Sequence, residues 1–193
     1  MMLVVKRFIL SASIVLSLIF STQVSAVMID LTSFSSNAPG SVAISNDGLS
    51  ATFYEDATIT SPVALWNTGL AIGSESQALS FDYELTVASN NADYFDFYLG
   101  NLTSPLFSIG GNADATGPLL FVGSYSTDVS SYANSTLPLV FSFIYDWPDM
   151  GLDSTLMISN LELIEIAVHE PATLFLIMLG LFAIAVFIPR RSA

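Results

Sequence analysis

The chain has 193 residues, with 17 acidic residues against four basic ones, a formal charge of −13, and no cysteine. The four cations sit in the ends, at Lys6, Arg7, Arg190 and Arg191, so nothing between them can neutralise a phosphate backbone and nucleic-acid binding is excluded. The missing thiols likewise exclude disulfides, thiolate metal sites and a cysteine nucleophile.

Residues 1–26 read as a secretory signal. Lys6-Arg7 forms the positive region and Phe8–Phe20 an apolar stretch too short to span a bilayer comfortably. Val24 and Ala26 are the small residues that a signal peptidase inspects, which predicts cleavage after Ala26. Cleavage would remove two cations and leave the acidic body still more negative.

From residue 27 to 167 the pattern is all-β. Early strands are expected over Ser41–Ser45, Ala51–Glu55 and Val63–Trp66. In Ala78–Val87 the residues Leu79, Phe81, Tyr83, Leu85 and Val87 alternate with Ser80, Asp82, Glu84 and Thr86, the period of a half-buried strand. Tyr94–Leu99, Leu119–Val122 and Pro138–Tyr145 follow. Ser154–Ile166 closes the series, bulged near Asn160 where the apolar phase slips. Turn signals at Asn46-Asp47-Gly48, Asn90-Asn91, Gly110-Gly111-Asn112 and Pro148–Gly151 separate these runs. The series predicts one β-sandwich or jelly-roll domain.

The strand Phe81-Asp-Tyr-Glu-Leu85, the segment Asp93–Gly100 and the closing strand Leu156–Leu163 weakly resemble jelly rolls of the carbohydrate-binding type. In many such modules an aspartate of the last strand helps bind a structural calcium. Ser159 stands at that position here.

The C-terminal segment Ala172–Ile188 is uncharged and apolar, about 26 Å long as a helix, close to the hydrocarbon thickness of a bilayer. Pro171 suits the helix start and Glu170 its positive end. Arg190 and Arg191 stop transfer and stay cytoplasmic, which leaves the acidic domain outside. His169-Glu170-Pro171-Ala172-Thr173, the apolar helix and the terminal arginine pair together resemble a PEP-CTERM sorting signal, over residues 168–193. The family's motif begins with proline where this chain has His169. The resemblance implies recognition by exosortase, a membrane-embedded protease of transpeptidase type. It also implies a cut near the motif, display at the surface, and a Gram-negative host that makes exopolysaccharide.

Three chemistries bear on the domain's residues. Calcium takes carboxylate and carbonyl oxygens, and Asp82, Glu84, Asp93, Asp96 and Asp114 are its candidates, set against a simply solvated acidic surface. Sugar rings stack on exposed aromatics. Tyr54, Trp66, Tyr94, Tyr98, Tyr125, Tyr132 and Trp147 are available, and Trp147, beside Pro148 in an expected loop, is the leading candidate. Catalysis is disfavoured, because the one histidine is His169 in the tail and no lysine lies in the domain. The expectation is a non-catalytic surface or matrix protein that needs no cofactor, serves signal peptidase and exosortase as a substrate, and associates with exopolysaccharide. The alternatives are a carbohydrate- or calcium-dependent binding module and a permanently anchored single-pass membrane protein.

Overall fold

The structure, a computed structural model, describes residues 23–55, 62–88, 93–111, 117–145 and 154–167. The tail motif His169–Thr173, the apolar segment Ala172–Ile188, Arg190, Arg191, Asp114 and Trp147 lie outside the described residues. No helix among the described residues is long and apolar enough to cross a membrane. The chain divides into two compact units. One is residues 25–165; the other is residues 1–24 with 166–193, in which the described residues are the outer ends of two strands.

Eleven strands are described: β1 (Gln23–Met28), β2 (Ser35–Ser36), β3 (Val42–Ile44), β4 (Ser50–Tyr54), β5 (Val63–Ile72), β6 (Ser76–Val87), β7 (Tyr94–Leu99), β8 (Phe107–Gly110), β9 (Leu119–Asp128), β10 (Ser135–Ile144) and β11 (Thr155–Ala167). They form two antiparallel sheets. One has six strands in the order β3-β4-β11-β6-β9, with β1 also against β11; the other has five, β2-β5-β10-β7-β8. The all-β sandwich expected from period-two alternation is therefore present.

Every expected strand is found, several longer than expected. β5 runs on to Ile72 and β9 to Asp128. The strands missed were β1, β2 and β8. β2 and β8 are too short to show a period, and β1 lies in the segment read as the signal-peptide end, with Val24 and Ala26 exposed within it.

The two sheets close on aromatic rings. Phe81 from β6 meets Phe95 and Phe97 of β7, Phe107 of β8, Tyr125 of β9 and Phe141 of β10, with centroids 4.9–6.3 Å apart. Leu79, Leu85 and Val87 are buried on the same face of β6, as the alternation requires. On β11 the buried positions change phase, from Leu156 and Ile158 to Leu161 and Leu163. The ladder with β6 shifts between Ser159 and Glu162, and Asn160 takes φ 52°. Asparagine tolerates that left-handed backbone, so the bulge read from the sequence keeps both halves of a long strand facing the core.

Candidate functional site

Of the described calcium candidates, Asp82 and Glu84 share one face while Asp93 and Asp96 lie elsewhere. Asp82 and Glu84 lie on the outer face of the six-stranded sheet. Asp82 is already satisfied: Ser124 Oγ donates to Oδ1 at 2.5 Å and Asn160 Nδ2 to Oδ2 at 2.7 Å. These two bonds hold its carboxyl below the usual carboxylate range. A shallow depression of about 330 Å³ there is lined by Asp82, Glu84, Val122, Ser124, Met157 and Ser159. Asp96 lies on the other sheet and faces away from the core. Asp93 is fully buried where β7 begins. Among the described residues no three histidines or carboxylates gather to hold a metal ion.

The outer face of the five-stranded sheet carries a different arrangement. β7 turns Phe95, Phe97 and Leu99 into the core and so presents Tyr94, Asp96 and Tyr98 outward. The antiparallel register sets Asp96 beside Ser142 of β10 and Ser108 of β8, with Ala64 of β5 beyond Ser142. The adjacent row across the sheet reads Trp66, Val140, Tyr98. Trp66 and Tyr98 are thus two strand spacings apart, about 10 Å. On the opposite side of Asp96 the row reads Ile144, Tyr94, Gly110. A Cβ on Gly110 would come 2.2 Å from Cβ of Tyr94, so the missing side chain lets β8 lie close against β7 there.

Asp96 is only 6% exposed. Tyr98 Oη donates to its Oδ2 at 3.0 Å, while Oδ1 is buried without a hydrogen-bond partner. Burial, followed by the bond and charge of Asp96, pushes the Tyr98 phenol up, so it stays a donor. A buried acceptor left unmade costs about 1–3 kcal/mol. No lysine or arginine exists between residues 8 and 189 to fill it. The face therefore carries two things: aromatic side chains and, buried among them, an acceptor that lacks a donor.

Solved structures with a similar strand arrangement include carbohydrate-binding modules. The C-terminal CBM6 of LamC, a marine laminarinase of Zobellia galactanivorans, is 14% identical over 74% of this chain and 99% of its own, with a TM-score of 0.39. A module described for specific mannan recognition, TmCBM27, is 9% identical over 75% and 98%, with a TM-score of 0.45. The K2 cleaved adhesin domain of Lys-gingipain matches at 11% identity over 72% and 87%, with a TM-score of 0.38. At these values the likeness carries no argument about what this chain binds. No family model matches the chain, and no curated protein does.

A second polar constellation, of a different kind, lies at the strand ends. Ser154, 1% exposed before β11, accepts from Ala88 N at 2.9 Å and donates Oγ to Asp93 Oδ2 at 2.5 Å. Its N–H donates to Glu55 Oε1 at 3.1 Å. Asp93 lies near enough to Glu55 for its carboxylate to favour the protonated form of Glu55. Burial pushes Glu55 up to about 7; the bonds from Ser154 oppose this, and the bond to Asp93 and its charge add to it. Glu55 and Ser154 were not among the residues singled out in the sequence. They stand 99 positions apart, with no spacing to betray them.

The sign of the resulting pH dependence follows from linkage. Unfolded, Glu55 titrates near its ordinary value of 4.5; folded, it holds its proton to about 7. Its contribution is complete below 4.5 and is lost as pH rises through about 7. Glu55 is partly exposed, so screening reduces the full linkage value to about 1–2 kcal/mol. Melting temperature should fall between pH 5 and pH 8, and Glu55→Gln, which keeps a donor toward Asp93 without a titrating proton, should flatten the profile. A wild-type profile already flat over that range would refute the raised titration of Glu55.

Proposed function

We propose that this chain is an exported, non-catalytic surface protein of a Gram-negative bacterium, and that its sandwich holds a carbohydrate on the outer face of the five-stranded sheet. The observation that carries the binding role is the unpartnered, buried Oδ1 of Asp96 between the aromatic side chains Trp66, Tyr98 and Tyr94. A sugar presents what this face lacks and can use: hydroxyl donors for a carboxylate, and C–H faces that stack on aromatic rings. The acidic surface disfavours polyuronates and favours a neutral polysaccharide. Signal peptidase would act after Ala26. The PEP-CTERM-like tail would bring the domain to exosortase and, beyond it, to the exopolysaccharide.

Titration of the protein with neutral glucans, mannans and the host's own exopolysaccharide, read by tryptophan fluorescence and calorimetry, tests the binding role. Saturable binding is expected with at least one of them. Trp66→Ala and Asp96→Ala should each weaken it about 10-fold or more, with melting temperature recorded to separate binding from folding. Saturable binding untouched by both substitutions would overturn the assignment of this face. Intact-mass mapping of the cell-surface form tests sorting: a chain starting at Val27 and ending near Pro171 is expected, and a chain that persists to Ala193 would refute exosortase processing.

A further inference from the structure

Among the described residues, Oδ1 of Asp96 is the one buried side-chain polar atom without a hydrogen-bond partner. Its surroundings favour a positive donor over a neutral one. Tyr94 and Tyr98 flank it on the same face of β7, two residues to either side. In its own row across the sheet Asp96 has only short neighbours: Ser142 of β10, Ala64 beyond it, and Ser108 of β8. The rows on either side hold larger residues, Trp66, Val140 and Tyr98 in one, Ile144 and Tyr94 in the other. Asp96 thus lies on a floor of small residues between two bulkier rows. Toward β8 that floor reaches solvent, where Ser108 is exposed and Tyr94 is 38% exposed.

An ammonium group matches this place. It carries three donors, enough for Oδ1 and for a serine hydroxyl of the same row. It adds ion pairing to the hydrogen bond that a hydroxyl would make, and burial strengthens both. Aromatic rings attract a cation that meets their faces, and Tyr94 and Tyr98 stand on both sides. The domain supplies no such cation: no lysine or arginine lies between residues 8 and 189. All 17 acids lie between Asp30 and Glu170, and their field draws cations in as it turns polyuronates away. We propose, on the footing of the carbohydrate reading above, that this face recognises a hexosamine: a largely neutral polysaccharide in which some units carry a free amino group. The ammonium of one unit meets Oδ1 of Asp96, and the ring of a neighbouring unit stacks on Trp66. A linear amine or a lysine side chain brings the charge without the flat C–H face that suits Trp66, about 10 Å from Tyr98 across the sheet.

Matched β-1,4-linked tetrasaccharides separate charge from shape, because glucosamine differs from glucose by an ammonium in place of one hydroxyl. Full-length protein in detergent, titrated by calorimetry near pH 5.5, should bind the glucosamine oligomer about 10-fold tighter than the glucose and N-acetylglucosamine oligomers. The ratio should shrink as salt is raised. Asp96→Asn should bring it to about one, with melting temperature recorded. Glu84→Gln removes the same charge from the other sheet and should leave the ratio unchanged. Amide shifts induced by the glucosamine oligomer should centre on Tyr94–Tyr98, which locates the site in the wild type even if Asp96→Asn fails to fold. Equal affinity for the charged and neutral oligomers overturns the inference and leaves the carbohydrate reading standing. No binding of any sugar refutes that reading, and the hexosamine with it. A preference that survives Asp96→Asn, amide shifts centred elsewhere, or spermidine bound as tightly as the glucosamine oligomer would each overturn the hexosamine assignment, as attraction to the general negative field.

Discussion

Replacing Phe81 with alanine is expected to cost the sandwich about 4 kcal/mol. The ring touches five other aromatic rings drawn from four strands, three of them in the facing sheet and one in its neighbour β9. Its side chain is 1% exposed, so the surrounding rings would have to collapse into the space or leave a cavity. Phe95, Phe97 and Phe141 stand on strands laddered on both sides and can relax little. A domain of this size has about 5–15 kcal/mol of stability in total, so most of it would be lost. Urea titration should show a lower midpoint with little change in slope. Phe81→Leu, which keeps most of the volume, should cost less than half as much. Equal midpoints for Phe81→Ala and the wild type would mean that the ring is not the junction between the sheets.

The second large effect is expected at Ser154. Its hydroxyl is both acceptor and donor in a buried place, taking the Ala88 N–H and giving its proton to Asp93. Alanine removes both bonds at once, one of them to a fully buried carboxyl. Losing a charge-assisted bond and leaving a backbone donor without its acceptor costs about 2–4 kcal/mol. The effect should show as faster amide exchange at Ala88 and a lower melting temperature. It should be less than additive with Asp93→Ala, because the two share one interaction. Full additivity of the two losses would show that Ser154 and Asp93 act separately.

Much of the architecture is legible in local pattern. The alternation from Leu79 to Val87 specifies a strand with one buried face, because successive side chains leave a strand on opposite sides. The phase slip near Asn160 announces the bulge for the same reason: one face must stay in the core, and an extra residue is the only way to recover it. The charge segregation that excludes nucleic acid, and the aromatic supply that makes sugar stacking chemically available, are also properties of composition alone.

What the sequence could not decide is which strand sits beside which. Asp82 and Asp96 both alternate with core residues and look equivalent in a linear reading, yet β6 and β7 join different sheets, so the two carboxylates face opposite ways. The calcium candidates Asp82 and Glu84 of β6 are thereby parted from Asp96 of β7. Trp66 joins Tyr98 and Asp96 only through β10, which pairs with β5 on one side and β7 on the other. Glu55, Asp93 and Ser154 meet because three strands end at the same place. Local periodicity is set by backbone geometry and is written residue by residue. Sheet order is set by which faces bury most together, a sum over the whole chain, and no segment carries it alone.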